Sequence, residues 1–180
     1  FAADTAQPDS LPAAPIMSLL IDRQGRLLIG TDDGLVRLEQ GRFMRIAPAV
    51  LGGIKVASLS IEPDGTIWVG SHGGLSAIAP HGDRRFRQPL AAAFANEPEP
   101  VIFSLVGDGA GRLWMGSDRG LLRYDPRDGS LRRYGLADGL QDLEFNGGAG
   151  AVLAGGALAF GGVNGLNVFD PDRITDSLYR

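Results

Sequence analysis

The sequence predicts an all-β fold assembled from short antiparallel strands, and three observations carry that prediction. The chain has 180 residues, 27 of them glycine, without the every-third spacing of a collagen helix, and it is still 44% hydrophobic. That combination belongs to a chain with many turns and a real core. The glycines recur in register along the chain. Each recurrence is bracketed by apolar runs of roughly four to six residues, a length that suits strands better than helices.

The register is explicit. Gly25, Gly65, Gly111 and Gly156 head four copies spaced 40, 46 and 45 residues apart. Five positions later come Gly30, Gly70, Gly116 and Gly161, and four after those come Gly34, Gly74, Gly120 and Gly165. A leucine follows each time, at Leu35, Leu75, Leu121 and Leu166.

Each part of a copy has a physical reading. Apolar residues at 16–21, 56–61 and 102–106 make a first, inner strand. The turn after it pairs Asp22 with Gly25, Asp64 with Gly65 and Asp108 with Gly111. The carboxylate accepts a backbone N–H there, and the glycine takes the positive φ that closes the hairpin. The second strand is LLIG, IWVG, LWMG or LAFG, apolar on both sides and therefore buried on both faces. A second turn, such as Ser117-Asp118-Arg119-Gly120, leads to a third strand at 121–124. An outer strand is expected around Phe43, Phe86 and Tyr134, where an aromatic stands among arginines and one face is wet.

Four antiparallel strands every 40 to 46 residues describe β-propeller blades. Four four-stranded repeats are expected at about 16–46, 56–88, 102–134 and 148–174. A helical repeat of similar length fails, because glycine inside a helix costs about 1 kcal/mol relative to alanine. Residues 1–15 read as the end of a preceding blade plus a connection, since Phe1 stands about as far before Ser18 as Phe43 stands before Ser58. The main expectation is that these are the last blades of a larger array, and the family resemblance set out below implies a ring of about seven. Closure of four blades alone and pairing of an open arc with a second copy stay open.

Several function classes drop out. A net charge of −4 and a pI near 5.1 give no electrostatic reason to expect nucleic acid or an anionic membrane. Without cysteine there is no disulfide framework and no thiolate chemistry. No apolar run reaches the roughly 20 residues that span a bilayer, so membrane attachment is expected only through segments outside this sequence. The Asp-x-x-Gly turns lack the oxygen ligands of a calcium loop and read as hairpins. His72 and His81 have no partners spaced for a metal or a triad, and neither metal nor cofactor is expected. Thr31, Ser71 and Ser117 share one repeat position, which argues for a structural hydroxyl. Trp68 and Trp114 read as core, and Arg84, Arg85, Arg87, Arg132 and Arg133 as solvated outer strands.

Recognition is expected on the face that carries the second turns and the connections between blades. It would use Asp32, Asp33, His72, Asp118, Arg119 and Asn164. The connections at 4–15, 47–55, 89–100 and 135–146 are long, and long loops on a rigid scaffold are where binding residues collect.

The repeat resembles the two-component regulator propeller repeat, S-L-x-x-D-x-x-G-x-L-W-x-G-T-x-x-G-L-x-R-x-D. In the first copy Ser18-Leu19, Asp22, Gly25, Leu27, Gly30-Thr31, Gly34-Leu35 and Arg37 match. In the third, Ser104-Leu105, Asp108, Gly111, Leu113-Trp114, Gly116-Ser117, Gly120-Leu121, Arg123 and Asp125 match. The second copy departs with Ala77 and the fourth with Ala159. The segments at 139–150 and 161–174 look like the family's final blade, which adds Glu144 and Asn146 to the candidate residues.

The resemblance implies a periplasmic ligand-sensing segment of a Gram-negative membrane receptor. Its ligand would be a small molecule or glycan, its partners further blades or a homodimer, and its output a histidine kinase or diguanylate cyclase. The segment itself is expected to be non-enzymatic. A structural or dimerisation module is the alternative, and a propeller hydrolase or lyase ranks below both.

Overall fold

The computed structural model describes residues 10–51, 53–79, 86–87 and 89–174. Phe1, His81, Arg84 and Arg85 lie outside the described residues. Four antiparallel sheets follow one another along the chain. Sheet 1 is β1 (Ile16–Ile21), β2 (Leu27–Thr31), β3 (Gly34–Glu39) and β4 (Arg42–Ile46). A one-turn helix, α1 (Pro48–Leu51), leads to sheet 2, which is β5 (Val56–Ile61), β6 (Ile67–Ser71), β7 (Gly74–Ile78) and β8 (Phe86–Arg87). Sheet 3 is β9 (Ile102–Gly107), β10 (Leu113–Ser117), β11 (Gly120–Tyr124) and β12 (Leu131–Tyr134). Sheet 4 is β13 (Phe145–Val152), β14 (Leu158–Gly162) and β15 (Gly165–Phe169).

Two expectations need correction. Sheet 4 has three strands among the described residues, not four. After Phe169 the chain turns at Asp170, whose Oδ1 accepts the Asp172 N–H (3.0 Å), and Ile174 folds onto the apolar cluster between sheets 3 and 4 instead of pairing with β15. The fourth inner strand also begins earlier than expected. Phe145 and Asn146 belong to β13 rather than to a connection, with a register shift before Gly150 absorbing the extra residues.

The sheets stack by their inner strands, β1 on β5, β5 on β9 and β9 on β13. The repeated glycine of the second strand sets the spacing. A Cβ on Gly30 would lie 2.8 Å from Val56 Cγ1, one on Gly70 2.7 Å from Ile102 Cγ2, and one on Gly116 2.9 Å from Phe145 Cβ. The first residue of each inner strand therefore presses into a socket that only glycine leaves open. The leucine of the third strand borders the same socket. Leu35 joins Val56 in one buried cluster, Leu75 joins Ile102 in the next, and Leu121 joins Phe145 in the third. The central strands β6, β10 and β11 are buried throughout, as an apolar strand between two sheets must be.

The first hairpin turn also follows its expected chemistry. Gly25, Gly65 and Gly111 have φ of 76°, 88° and 80°. Asp108 Oδ1 accepts the N–H groups of Ala110 (3.0 Å) and Arg112 (2.9 Å), while Oδ2 accepts Arg112 Nε (2.6 Å) and Trp114 Nε1 (2.8 Å). Asp22 does the same toward Gln24 and Arg26. Burial pushes both carboxyls up, but these hydrogen bonds outweigh it and hold them below the ordinary range.

Sheet 2 differs. Its equivalent residue is Glu62, whose N–H bonds the Thr66 carbonyl as that of Asp22 bonds Arg26, and Asp64 bonds the Thr66 N–H instead. Trp68, the counterpart of Trp114, is left with a buried Nε1 that has no hydrogen-bond partner among the described residues.

Two outcomes are expected in urea denaturation. Gly116→Ala costs about 1–3 kcal/mol, because its Cβ has no room against Ser104 and Phe145, whereas Gly161→Ala, which meets only Ala149, costs far less. Trp114→Phe and Trp68→Phe both shrink a buried side chain, but Trp114→Phe also removes one of the four hydrogen bonds to the buried Asp108 carboxylate and is expected to cost about 1 kcal/mol more than Trp68→Phe, which loses none.

Candidate functional site

The turns between second and third strands lie at one end of the sheets, together with the connections that link one sheet to the next. Each of the first three turns is held from inside by a hydroxyl. Thr31 Oγ1 donates to the Gly34 carbonyl (2.9 Å) and accepts the Asp33 N–H (3.1 Å). Ser71 does the same with Gly74 and Gly73, and Ser117 with Gly120 and Arg119. Gly34, Gly74 and Gly120 have φ of 105°, 91° and 103°, which closes each turn without strain. The expected structural role of these hydroxyls is thus visible as a clamp, and the two residues inside it face outward.

Those residues divide by what holds them. Asp33 takes Arg45 Nη2 (2.9 Å) and the Gly53 N–H (3.1 Å), which ties the turn to the 47–55 connection. Asp118 Oδ1 accepts the Val101 N–H (2.9 Å). Arg119 donates to the Pro98 carbonyl (2.9 Å) and pairs with Glu97 (3.5 Å). Glu97 also accepts Arg133 Nη2 (2.8 Å), whose guanidinium lies 4.2 Å from the centre of the Phe94 ring. The hydrogen bond from Arg133 holds the Glu97 carboxyl below its usual range. Asn164 donates to Asp142 Oδ2 (2.6 Å), and the Glu144 carbonyl accepts the Val163 N–H (3.1 Å). Asn146 is exposed on β13. The eight sequence candidates therefore do not form one site.

Asp32 and His72 do come together. With Lys55, Gly53, Ile54 and Gly73 they line an open cleft of about 500 Å³ between the turns of sheets 1 and 2. Lys55 Nζ lies 3.2 Å from Asp32 Oδ1, and both side chains remain well exposed. The His72 backbone N–H bonds the Lys55 carbonyl (3.0 Å), and its ring meets Phe103 edge-on with centroids 6.0 Å apart. Among the described residues no cluster of three His, Cys, Asp or Glu has the arrangement of a metal site.

Sequence reasoning missed two residues here. Lys55 is the only lysine of the chain and closes the 47–55 connection, a position with no repeat signature. Glu99 ends the 89–100 connection and lies over Gly74, where a Cβ would collide with its carboxyl. Its Oε2 is buried without a hydrogen-bond partner among the described residues. Burial pushes this carboxyl up, and the Leu75 N–H opposes it only in part.

A second cleft, of about 560 Å³, opens at the opposite end between sheets 1 and 2. Leu28, Ile46, Ile61, Ile67 and Ile78 form its walls and Arg23, Arg26 and Arg37 its rim. Arg26 is bound to Asp22 (2.7 Å) and Arg37 to Glu39 (3.1 Å), so much of this positive charge is neutralised internally. It is larger, but the Asp32–Lys55–His72 cleft carries the less committed polar groups.

The raised Glu99 carboxyl has a defined linkage. A carboxyl whose folded pKa exceeds its unfolded value destabilises the fold above the folded pKa, and this penalty is relieved as pH falls through it. Glu99→Gln is therefore expected to raise the melting temperature at pH 7 and to gain little near pH 4, as read by thermal unfolding at the two pH values.

Comparisons with known proteins agree with this architecture. The two component regulator propeller family model matches residues 10–33. A stretch of 79 residues, 44% of this chain, is 29% identical to "Histidine kinase P4" of Formosa agariphila, and spans 6% of that protein. The fold superposes with a TM-score of 0.74 on the extracellular domain assigned to the hybrid two component system BT4673 of B. thetaiotaomicron, at 22% identity, covering 91% of this chain and 22% of that one. It also matches virginiamycin B lyase from Staphylococcus aureus, with a TM-score of 0.61 and 14% identity over 89% of this chain and 57% of the lyase, a likeness of fold alone. Among the described residues no helix is long and apolar enough to cross a membrane. The fold is that of β-propeller blades, and within it residues 10–33 match the two component regulator propeller repeat.

Proposed function

We propose that this chain is a ligand-sensing propeller segment of a two-component membrane receptor, positioned outside the cytoplasm, which relays binding without catalysis. The repeat match and the likeness to an extracellular receptor domain support the setting. The partial match to a histidine kinase supports a kinase as the attached output, with a diguanylate cyclase as the other candidate.

The observation that carries a binding role is the Asp32–Lys55–His72 cleft. Groups from two successive sheets converge there on an open space, offering a carboxylate acceptor, an ammonium donor and an imidazole that can act as either. The Asp32–Lys55 pair is exposed, so holding it together contributes only about 0–1 kcal/mol, and a ligand can exchange into it at little cost. Such a mixed, uncharged-on-balance set suits a hydroxyl-rich small molecule or glycan better than an anion.

The exposed apolar faces of the terminal sheets favour a second reading, in which the segment relays a signal through pairing.

The binding reading is tested with a panel of neutral mono- and oligosaccharides in a thermal-shift assay on the chain, followed by calorimetry on any hit. A bound sugar is expected to raise the melting temperature. Lys55→Ala and His72→Ala are expected to weaken it at least about tenfold while leaving the unliganded melting temperature in place. Binding that is unaffected by either variant, or no shift with any sugar, would sink the assignment of this cleft.

A further inference from the structure

The three internal seams are built from equivalent positions, and one of them lacks its rings. Two residues before each second-strand glycine stand Leu28, Trp68 and Trp114. Facing them, four residues after the third-strand glycine of the next sheet, stand Ile78, Tyr124 and Phe169. Between sheets 2 and 3 the pair is Trp68 and Tyr124, with ring centres 5.8 Å apart. Between sheets 3 and 4 it is Trp114 and Phe169, at 4.8 Å. Between sheets 1 and 2 it is Leu28 and Ile78, and there the cleft of about 560 Å³ opens.

The surroundings of Trp114 show what this position accommodates. Its indole stacks on Tyr134 at 5.4 Å, Arg123 lies over it at 5.7 Å from the ring centre, and its Nε1 donates to Asp108 Oδ2 (2.8 Å). Sheet 1 holds a counterpart of each neighbour. Ile46 pairs with Leu35 as Tyr134 pairs with Leu121, Arg37 stands three residues after Gly34 as Arg123 stands after Gly120, and Asp22 closes its turn as Asp108 does. Leu28, Ile46, Ile78, Arg37 and Asp22 all line the cleft. Sheet 2 has no such set, because Glu62 and Ala77 stand in place of the carboxylate and the arginine.

Asp22 is the decisive member. Its side chain is 3% exposed, and its Oδ1 accepts two backbone N–H groups, as that of Asp108 does. Asp108 Oδ2 accepts both Arg112 Nε and the indole N–H. Asp22 Oδ2 accepts Arg26 Nε (2.7 Å), and among the described residues its second lone pair has no donor.

We propose that this cleft binds a small planar heterocycle of the indole class, a fused aromatic ring with one N–H. The ring takes the place beside sheet 1 that the Trp114 side chain takes beside sheet 3. Its N–H donates to Asp22 Oδ2, Arg37 covers one face as a cation over a π system, and Leu28, Ile46 and Ile78 form the floor. These three are at most 3% exposed, so a ring seated on them leaves water behind. The volume lies within the roughly 300–1,000 Å³ of small-molecule sites. This site is at the opposite end of the sheets from the Asp32–Lys55–His72 cleft and does not rest on the reading of that cleft.

The test uses indole with the 180-residue chain, read by calorimetry and by the side-chain methyl NMR signals of isoleucine. Ring current is expected to move the methyls of Ile46, Ile61 and Ile78 and to leave Ile54, which lines the other cleft, in place. Indene, the same bicycle without an N–H, is expected to bind at least about tenfold more weakly, since it covers Asp22 Oδ2 without donating to it. Arg37→Met is expected to weaken indole at least about threefold. Leu28→Trp supplies an indole from the chain itself, and is expected to keep the native melting temperature and abolish binding.

Any of five results would overturn the proposal: no response at millimolar indole, methyl shifts confined to Ile54, indene binding as tightly as indole, an unchanged affinity in Arg37→Met, or a folded Leu28→Trp chain that binds like its parent. The first three are read on the unaltered chain, so they decide the matter even where a variant fails to fold.

Discussion

The missing Cβ of the second-strand glycine is what the rest of the architecture depends on. At Gly30, Gly70 and Gly116 the following sheet comes within van der Waals distance of the backbone itself. Any side chain there would force the sheets apart along their inner edge, and the clusters that hold one sheet to the next would open with them. A blade of four short strands has too little surface to bury a core alone, so stability resides in the seams between sheets rather than within them. This is why the glycines keep their register through four copies while the turns and connections around them drift in length.

The same logic explains which features were legible in the sequence. Gly25, Gly65 and Gly111 could be read because a positive φ is a local demand that few residues other than glycine meet. Gly30, Gly70 and Gly116 could be read because close approach is an equally narrow demand. The carboxylate of the first turn was harder. Asp64 looks like the partner of Asp22 and Asp108 in the sequence, yet Glu62 occupies their place, because an extra methylene changes which backbone groups the side chain can reach. The early start of β13 at Phe145 was hidden by a run of glycine and alanine that carries no apolar alternation.

The candidate site was legible only as a location. The turns could be placed by counting, but nothing local says that the side chains of Asp33, Asp118 and Arg119 bond the backbone of the neighbouring connection while that of Asp32 meets the Lys55 ammonium in an open cleft. Those partners, Gly53, Val101 and Pro98, sit in connections that have no period, and their approach is a property of the folded stack. Lys55 and Glu99 escaped for the same reason. Each terminates a connection, and only the stacking of one sheet on the next shows what lies beneath it.

The clamp around each second turn has a consequence for how such a surface can change. In sheets 1 to 3 the hydroxyl and the glycine satisfy the turn's own backbone, so the turn closes whatever dipeptide stands between them, and the side chains of that dipeptide are left to meet the neighbouring connection, as those of Asp33, Asp118 and Arg119 do. Asp-Asp, His-Gly and Asp-Arg occupy the same frame in sheets 1 to 3, and Val-Asn stands at the corresponding place in sheet 4. Two-residue cassettes can therefore be exchanged one turn at a time, which changes what the rim presents while the seams beneath it keep their packing.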